Sequence, residues 1–276
     1  MKSFAAFHQL HTLSKDIPNC LENLKIYMIE NHLKLNDSKT EIIVFGSSKF
    51  KEQVSLHGTF LNSGKCLRFN DNVKYLGIFL DSMLSFDDQI QKVTSLSYGS
   101  IRNISQVKSC LSQQNLETFV HAFISSHLDY CNIIYLGLSR KLINKLQKLQ
   151  NAAIRMIFKV RARHPVSHLF QKLHWLNIDQ RVTYKALLVV YKCINGLAPA
   201  VLKSLITIRN TDSLILQQTY FNNTKFGKRA FVYYAPKYWN SLPRNIRLAS
   251  NIKCFKTSLK SYLLLHYDEF KEKVSL

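Results

Sequence analysis

Glycine and proline are scarce in this chain, at 8 and 5 of 276 residues. Turn-dense sandwiches and propellers need both in quantity, so the shortage argues against them and for long helices. The six cysteines (Cys20, Cys66, Cys110, Cys131, Cys193 and Cys254) stand singly, without a Cys-x-x-Cys pair. That disfavours a disulfide framework and implies a reducing compartment. Met1–Leu10 holds one lysine and an apolar stretch too short for a signal-peptide core. The longest apolar runs, such as Ala186–Tyr191, fall far short of the roughly 18 residues that cross a bilayer. A soluble chain with no membrane partner is expected. Nucleotide-binding glycine loops and nucleophile elbows are also missing, which leaves cofactor and hydrolase chemistry without support.

The most telling shortage is of carboxylates. The chain carries 38 Lys+Arg against 17 Asp+Glu, a net charge of +21. Met1–Tyr130 is nearly balanced, with 13 basic and 12 acidic residues. Cys131–Tyr267 holds 23 basic residues and only 2 acids, Asp179 and Asp212. A field of this kind attracts polyanions, nucleic acid being the commonest. Hydrophobic residues make up 46%, enough for a real core and too many for a disordered tail.

Periodicity predicts a helix over Ile17–His32, with Ile17, Leu21, Leu24 and Met28 on one face. Glu41–Phe45 and Val73–Leu80 each read as a strand, and Lys51–Leu67 as a strand pair or loop. Helical patterns then follow at Phe86–Ser105, Gln113–Leu128, Lys141–Val160, Pro165–Leu173, Gln180–Asn195, Pro199–Ile206 and Asn251–His266. Alternation over Thr211–Tyr234 predicts a hairpin. Arg161–Pro165 and Asn210–Ser213 read as linkers.

Within Lys141–Val160, Lys141, Lys145, Lys148, Arg155 and Lys159 share one narrow arc at 100° per residue. Leu142, Leu146, Leu149, Ala153, Met156 and Val160 form a stripe beside it. One face can bury while its neighbour tracks a phosphate backbone. A merely solvated face usually mixes signs for i,i+4 pairing, and this segment has no acid. Further along, Tyr220–Tyr262 interleaves Lys225, Lys228, Arg229, Lys237, Arg244, Arg247, Lys253, Lys256 and Lys260 with rings. Aromatic faces beside cations suit unpaired bases, although Phe231, Trp239 and Phe255 read as core.

Taken in order, these segments resemble the downstream portion of reverse transcriptases of non-LTR (LINE-like) retrotransposons. Asn31-His32-Leu33-Lys34-Leu35-Asn36 with Lys39-Thr40-Glu41 is similar to the N-x-L-x-L-N-x-x-K-T-E stretch near the end of the palm. Val73-Lys74-Tyr75-Leu76-Gly77 with Asp81 is similar to the strand pair that grips the primer. His174-Trp175-Leu176 through Arg181 resembles a later L-H-W-L-P…R box, with Asn177 in place of the proline. Ala235-Pro236 and Trp239-Asn240-Ser241-Leu242-Pro243 resemble a P-x-x-W-N-S-L-P box. The likeness implies an α+β, predominantly α-helical fold. A small β-hairpin palm remnant over 1–82 would precede a helical thumb over 83–164. A basic, helical C-terminal region over 165–276 would follow, holding the possible hairpin.

It also implies RNA or DNA as partner and an intracellular, nuclear location. The palm aspartates that bind Mg²⁺ in a complete polymerase belong upstream of Lys39, in an aromatic-Ala-Asp-Asp turn and an earlier strand. The 38 residues before Lys39 contain no such turn. Phe86-Asp87-Asp88 mimics it, yet lies after the grip strands and before a helix, where the acids read as dipole partners. No cofactor, metal ligand or activity is therefore expected of the chain alone. Lys39 matches a lysine that assists nucleotide addition by resemblance only, and here reads as a lysine packing its stem beside a strand. The expected nucleic-acid contacts are Lys141, Lys145, Lys148, Arg155, Lys159, Arg161, Arg163, Lys228 and Arg229, with Tyr75, Leu76 and Gly77 primer-grip-like.

His164 with His168, and His127 with Cys131, have metal-compatible spacing. Pro165 interrupts the first pair and no further ligands accompany either, which argues against zinc. Two other readings stand beside the first. One is a helical module whose basic face meets an acidic protein; the other is a truncated gene model of an intact polymerase.

Overall fold

The computed structural model describes residues 10–36, 39–46, 51–52, 60–62, 65–67, 69–220 and 227–275. It is an α+β, mostly helical fold. The chain divides into two compact units, 1–89 and 90–276.

In the first unit, α1 (Leu10–Glu30) starts earlier than predicted and includes Pro18. It ends at a left-handed His32 (φ 55°), where His32 N–H donates to Ile29 O and Leu33 N–H to Met28 O. That pair of bonds is the Schellman closure, usually built on glycine. The strands are short: β1 (Ile42–Ile43), β2 (Phe60–Asn62), β3 (Lys65–Leu67), β4 (Phe69–Asn70), β5 (Asn72–Tyr75) and β6 (Ile78–Asp81). They form two-stranded ladders, β1 parallel to β4, β2 antiparallel to β3, and β5 antiparallel to β6. Val73–Leu80 is thus a hairpin rather than one strand. Leu76 and Gly77 both take positive φ (46° and 84°), the condition for a two-residue turn that matches strand twist. A leucine there is strained, and from sequence its side chain looked like part of an apolar strand.

Asp81 closes this hairpin. Its Oδ1 accepts from Met83 N–H (3.1 Å) and Ser85 N–H (2.8 Å), and its Oδ2 from Phe86 N–H (2.6 Å). These bonds hold a turn in which Leu84 and Phe86 are both left-handed. Asp81→Ala removes one acceptor group from three donors. A loss of about 2 kcal/mol is expected, read as an earlier urea midpoint and faster amide exchange at Ser85 and Phe86.

Helix α2 (Asp87–Val107) begins with Asp87 and Asp88 in its first turn, where acids favour the dipole. The second unit takes up this helix through Ile90, Val93, Ser97 and Ile104, all buried at helical spacing. Next comes α3 (Gln113–Val120), capped by Ser112, whose Oγ accepts from Asn115 N–H at 3.1 Å. It runs on through a π turn, His121–Ser125, into Ser126–Asp129. Leu116, Val120, Ile124 and Leu128 are buried at steps of four. In a regular helix such steps drift about 40° each. The wider i→i+5 turn, seen in Ser126 N–H donating to His121 O, takes up that drift.

After a left-handed Cys131 (φ 51°) come α4 (Arg140–Ile157), α5 (Ser167–Leu173) and α6 (Ile178–Ile194). Helix α6 opens with a reciprocal cap. Asn177 Oδ1 accepts from Gln180 N–H (2.9 Å), while Gln180 Oε1 accepts from Asn177 N–H (2.8 Å). The remaining elements are α7 (Ala200–Lys203), β7 (Ile208–Asn210), β8 (Ile215–Leu216), α8 (Phe231–Asn240), α9 (Arg244–Arg247), α10 (Ile252–Leu265) and α11 (Tyr267–Ser275). Helix α6 is central, with α4, α8 and α10 packed on it. Its fully buried neighbours include Leu146, Leu149, Ile154, Trp239, Phe255 and Leu259.

The hairpin predicted over Thr211–Tyr234 instead spans Ile208–Leu216 with its turn at 211–214; of the predicted linker Asn210–Ser213, Asn210 belongs to β7 and the rest to that turn. From Phe231 the chain is helical. Tyr234, Ala235 and Trp239 recur at helix spacing and are buried, which outweighs the local alternation. Among the described residues no helix is long and apolar enough to cross a membrane.

Candidate nucleic-acid interface

Helix α4 buries a broad arc (Leu142, Ile143, Leu146, Leu149, Gln150, Ala153, Ile154, Met156 and Ile157) and leaves its basic face outward. Lys141 and Lys148 are exposed. Lys145 is half-buried and donates to the Gln91 side chain. Arg155 donates through Nε to His164 O at 2.9 Å, anchoring the loop that follows the helix. That loop carries Arg161 and Arg163, both exposed.

Lys159 departs from the prediction. The helix ends at Ile157, and Lys159 takes the left-handed closing position (φ 53°). Lys159 N–H donates to Met156 O and Val160 N–H to Arg155 O. With no glycine to mark the stop, the sequence pattern ran three residues too far. The Lys159 ammonium instead reaches Leu111 O, at 2.8 Å.

None of these seven cations meets a carboxylate among the described residues. Neutral carbonyl and amide partners tether Lys145, Arg155 and Lys159 without cancelling their charge. Asp179 is already shared by Arg140 (2.5 Å) and Lys271 (3.6 Å), and Asp129 is bound to Arg181 (2.7 Å). Even the buried Arg247 keeps Nε and Nη1 without a hydrogen bond in the described structure. Desolvation pushes its guanidinium below the ordinary value, and the neighbouring Arg244 adds to the shift.

The other predicted contacts separate from this face. The half-buried Arg229 lies over the loop before α4, its stem where a side chain on Gly137 (φ 74°) would have to go. Lys228 sits in the same 3-10 turn, Gly227–Arg229, but its side chain lies outside the described residues, as do Phe221, Lys225 and Phe226. Most described rings of the tail are core or half-buried. Trp239, Phe255 and Tyr234 are buried, while Phe231, Tyr233 and Tyr238 are half-buried. Tyr220 is exposed. Exposed rings occur elsewhere: Phe119 and Phe123 stack at 6.0 Å across the π turn. Sequence spacing alone did not single them out, because in a regular helix an i,i+4 aromatic pair reads as core.

In the first unit, Tyr75 and Leu76 are exposed at the tip of the β5–β6 hairpin, with Gly77 completing the turn. Lys39 is exposed in a short turn, its N–H donating to Asn36 O. Two of the described aspartates are engaged elsewhere. Asp81 spends both oxygens on backbone N–H groups, and Asp88 accepts from Asn72 at 2.7 Å. Among the described residues no three His, Cys, Asp or Glu side chains gather to hold an ion. His164 and His168 pack edge to face at 5.4 Å, and His127 Nδ1 lies 3.4 Å from Ser97 Oγ.

The two late sequence boxes are structural. Arg181 Nε donates to Leu176 O (3.1 Å), its Nη1 pairs with Asp129, and its guanidinium lies over the Trp175 ring at 5.7 Å. Trp239 Nε1–H donates to Leu214 O at 2.7 Å. Asn240 clasps β8 by accepting from Leu216 N–H (2.9 Å) and donating to Leu216 O (2.8 Å), as a neighbouring strand would. No protein-family model, curated protein or solved structure matches the chain.

Proposed function

We propose that this chain is the downstream part of a non-LTR retrotransposon reverse transcriptase that binds RNA or DNA without polymerising it. Its nucleic-acid face is α4 with the loop after it. The observation that carries the reading is the set of seven cations, from Lys141 to Arg163, none with a carboxylate partner among the described residues. The ordered sequence boxes support the family assignment, and a nuclear location follows from the same reading. Lysines and arginines of this kind position a phosphate backbone and do not read bases. Because no cluster of carboxylates able to hold Mg²⁺ gathers among the described residues, no polymerisation step is assigned to them.

Binding of single-stranded RNA and DNA, followed by fluorescence anisotropy across a salt series, tests the proposal. For about five phosphate contacts, log K should fall against log salt with a slope of roughly −3 to −4. Lys141→Gln with Lys148→Gln should weaken all sequences alike and flatten the slope by about 1.4. Both side chains are exposed, so folding is spared. A flat salt response, or a double variant that binds as the parent does, overturns the reading. Weak oligonucleotide binding beside tight capture of an acidic protein would favour the interaction-module alternative.

A further inference from the structure

A solvent-open surface pocket of about 330 Å³ is lined by His174, Tyr184, Lys256, Thr257, Lys260, Ser261 and Leu264, of which only Tyr184 and Leu264 are partly buried. Its walls come from three places. His174 closes α5 in a left-handed conformation (φ 49°), Tyr184 stands on α6, and the remaining five lie on α10.

The chemistry of this lining is one-sided. Lys256 and Lys260, four residues apart, stand about 6 Å from each other along the axis. Thr257 and Ser261 repeat the same spacing beside them. Thr257 donates to Lys253 O at 3.1 Å, which leaves its oxygen as an acceptor. The side chains of Lys256, Lys260, Ser261, His174 and Tyr184 have no hydrogen-bond or ionic partner among the described residues. Tyr184 is half-buried, and desolvation pushes its phenol up, so it is a neutral donor near pH 7. No carboxylate lines the pocket, and α10 contains none in its 14 residues. Like charges at i,i+4 repel one another along a helix, so this pair opposes the helix unless an anion sits between them.

We propose that this pocket captures the terminal phosphate monoester of a polynucleotide strand. A monoester carries between one and two negative charges near neutral pH and three terminal oxygens. A backbone diester carries one charge and has two free oxygens. Two ammonium groups with hydroxyl and imidazole donors match the monoester, and charge-assisted bonds of this kind are the strong ones. The choice of a polynucleotide rests on the nucleic-acid reading of α4, because the same acid-poor unit would carry the rest of the strand.

The test uses the full chain and an oligothymidylate of about 12 nucleotides, within the usual single-strand site size. Three forms are compared: 5′-phosphorylated, 3′-phosphorylated, and hydroxyl at both ends. One phosphorylated form should bind about tenfold tighter than the hydroxyl form. Lys256→Gln with Lys260→Gln should bring that ratio to about one, and millimolar inorganic phosphate should do the same to the parent. Lys141→Gln with Lys148→Gln should weaken all three forms and preserve the ratio. A ratio of one in the parent overturns the proposal while leaving the α4 face intact. So does a Lys256/Lys260 variant that loses all three forms alike. If no form binds, both readings fall, and a response to inorganic phosphate alone would mark the pocket as a small-anion site.

Discussion

Trp239→Ala is expected to be the most damaging single substitution in the second unit, costing about 3–5 kcal/mol. The ring is fully buried and lies 5.7 Å from Phe255, which stacks on Tyr191 at 4.2 Å. Truncation opens a cavity beneath α6, α8 and α10. It also strips Leu214 O of its indole donor at the mouth of the β7–β8 hairpin. The two losses act together, because the hairpin is tied to α8 only a residue further on, by Asn240. Urea unfolding followed by circular dichroism measures the effect. Trp239→Phe retains much of the packing and loses the N–H, so about 1–2 kcal/mol is expected there. An alanine variant as stable as the parent would show that this box does not hold the core.

Trp239 also shows how far the sequence could be read. Its burial was legible as that of a large ring, but the helix that carries it was not, because Thr211–Tyr234 read as a hairpin and no helix was predicted over Phe231–Asn240. Most other helices were legible because 3.6-residue periodicity is local and survives in the sequence. What escaped were the stops. Helices close at His32, Lys159 and His174 through left-handed residues that are not glycine, and nothing in their composition announces this. The Leu76-Gly77 turn was hidden likewise, so a hairpin read as one strand. For the candidate site, the arc of cations on α4 was visible by spacing. Which ammonium is tethered and which is free depends on Gln91, Leu111 and His164, partners 9 to 54 residues away in sequence. The α10 pocket was out of reach, because its donors come from three elements distant in the chain.

Arg181→Met is expected to cost about 3 kcal/mol, the second largest effect. The methionine keeps the stem packed near Trp175 but removes both polar contacts. Asp129, 35% exposed, is left without its cation, while Leu176 O loses one of its two donors and keeps Gln150 Nε2 at 2.9 Å. Solvent partly screens the carboxylate, which keeps the figure at the low end for breaking a buried pair. A double-mutant cycle with Asp129→Asn should return a coupling of about 1–2 kcal/mol. Additive losses would mean that the ion pair is incidental and that packing on Trp175 carries the box.

Arg181 can reach Asp129 only because of what happens upstream. Five residues of the helix from 113 to 129 are wound as a π turn. Wound as an ordinary helix at the same length, the segment would carry everything beyond it round by roughly 100°. Asp129 would swing off the Arg181 side, and Leu128 would leave the core. The bulge therefore acts as a phase keeper, absorbing one residue so that both halves of the helix present the same face. A single deletion within it should be tolerated, because ordinary winding then returns Leu128 and Asp129 to the same side, whereas a deletion elsewhere in the helix should not.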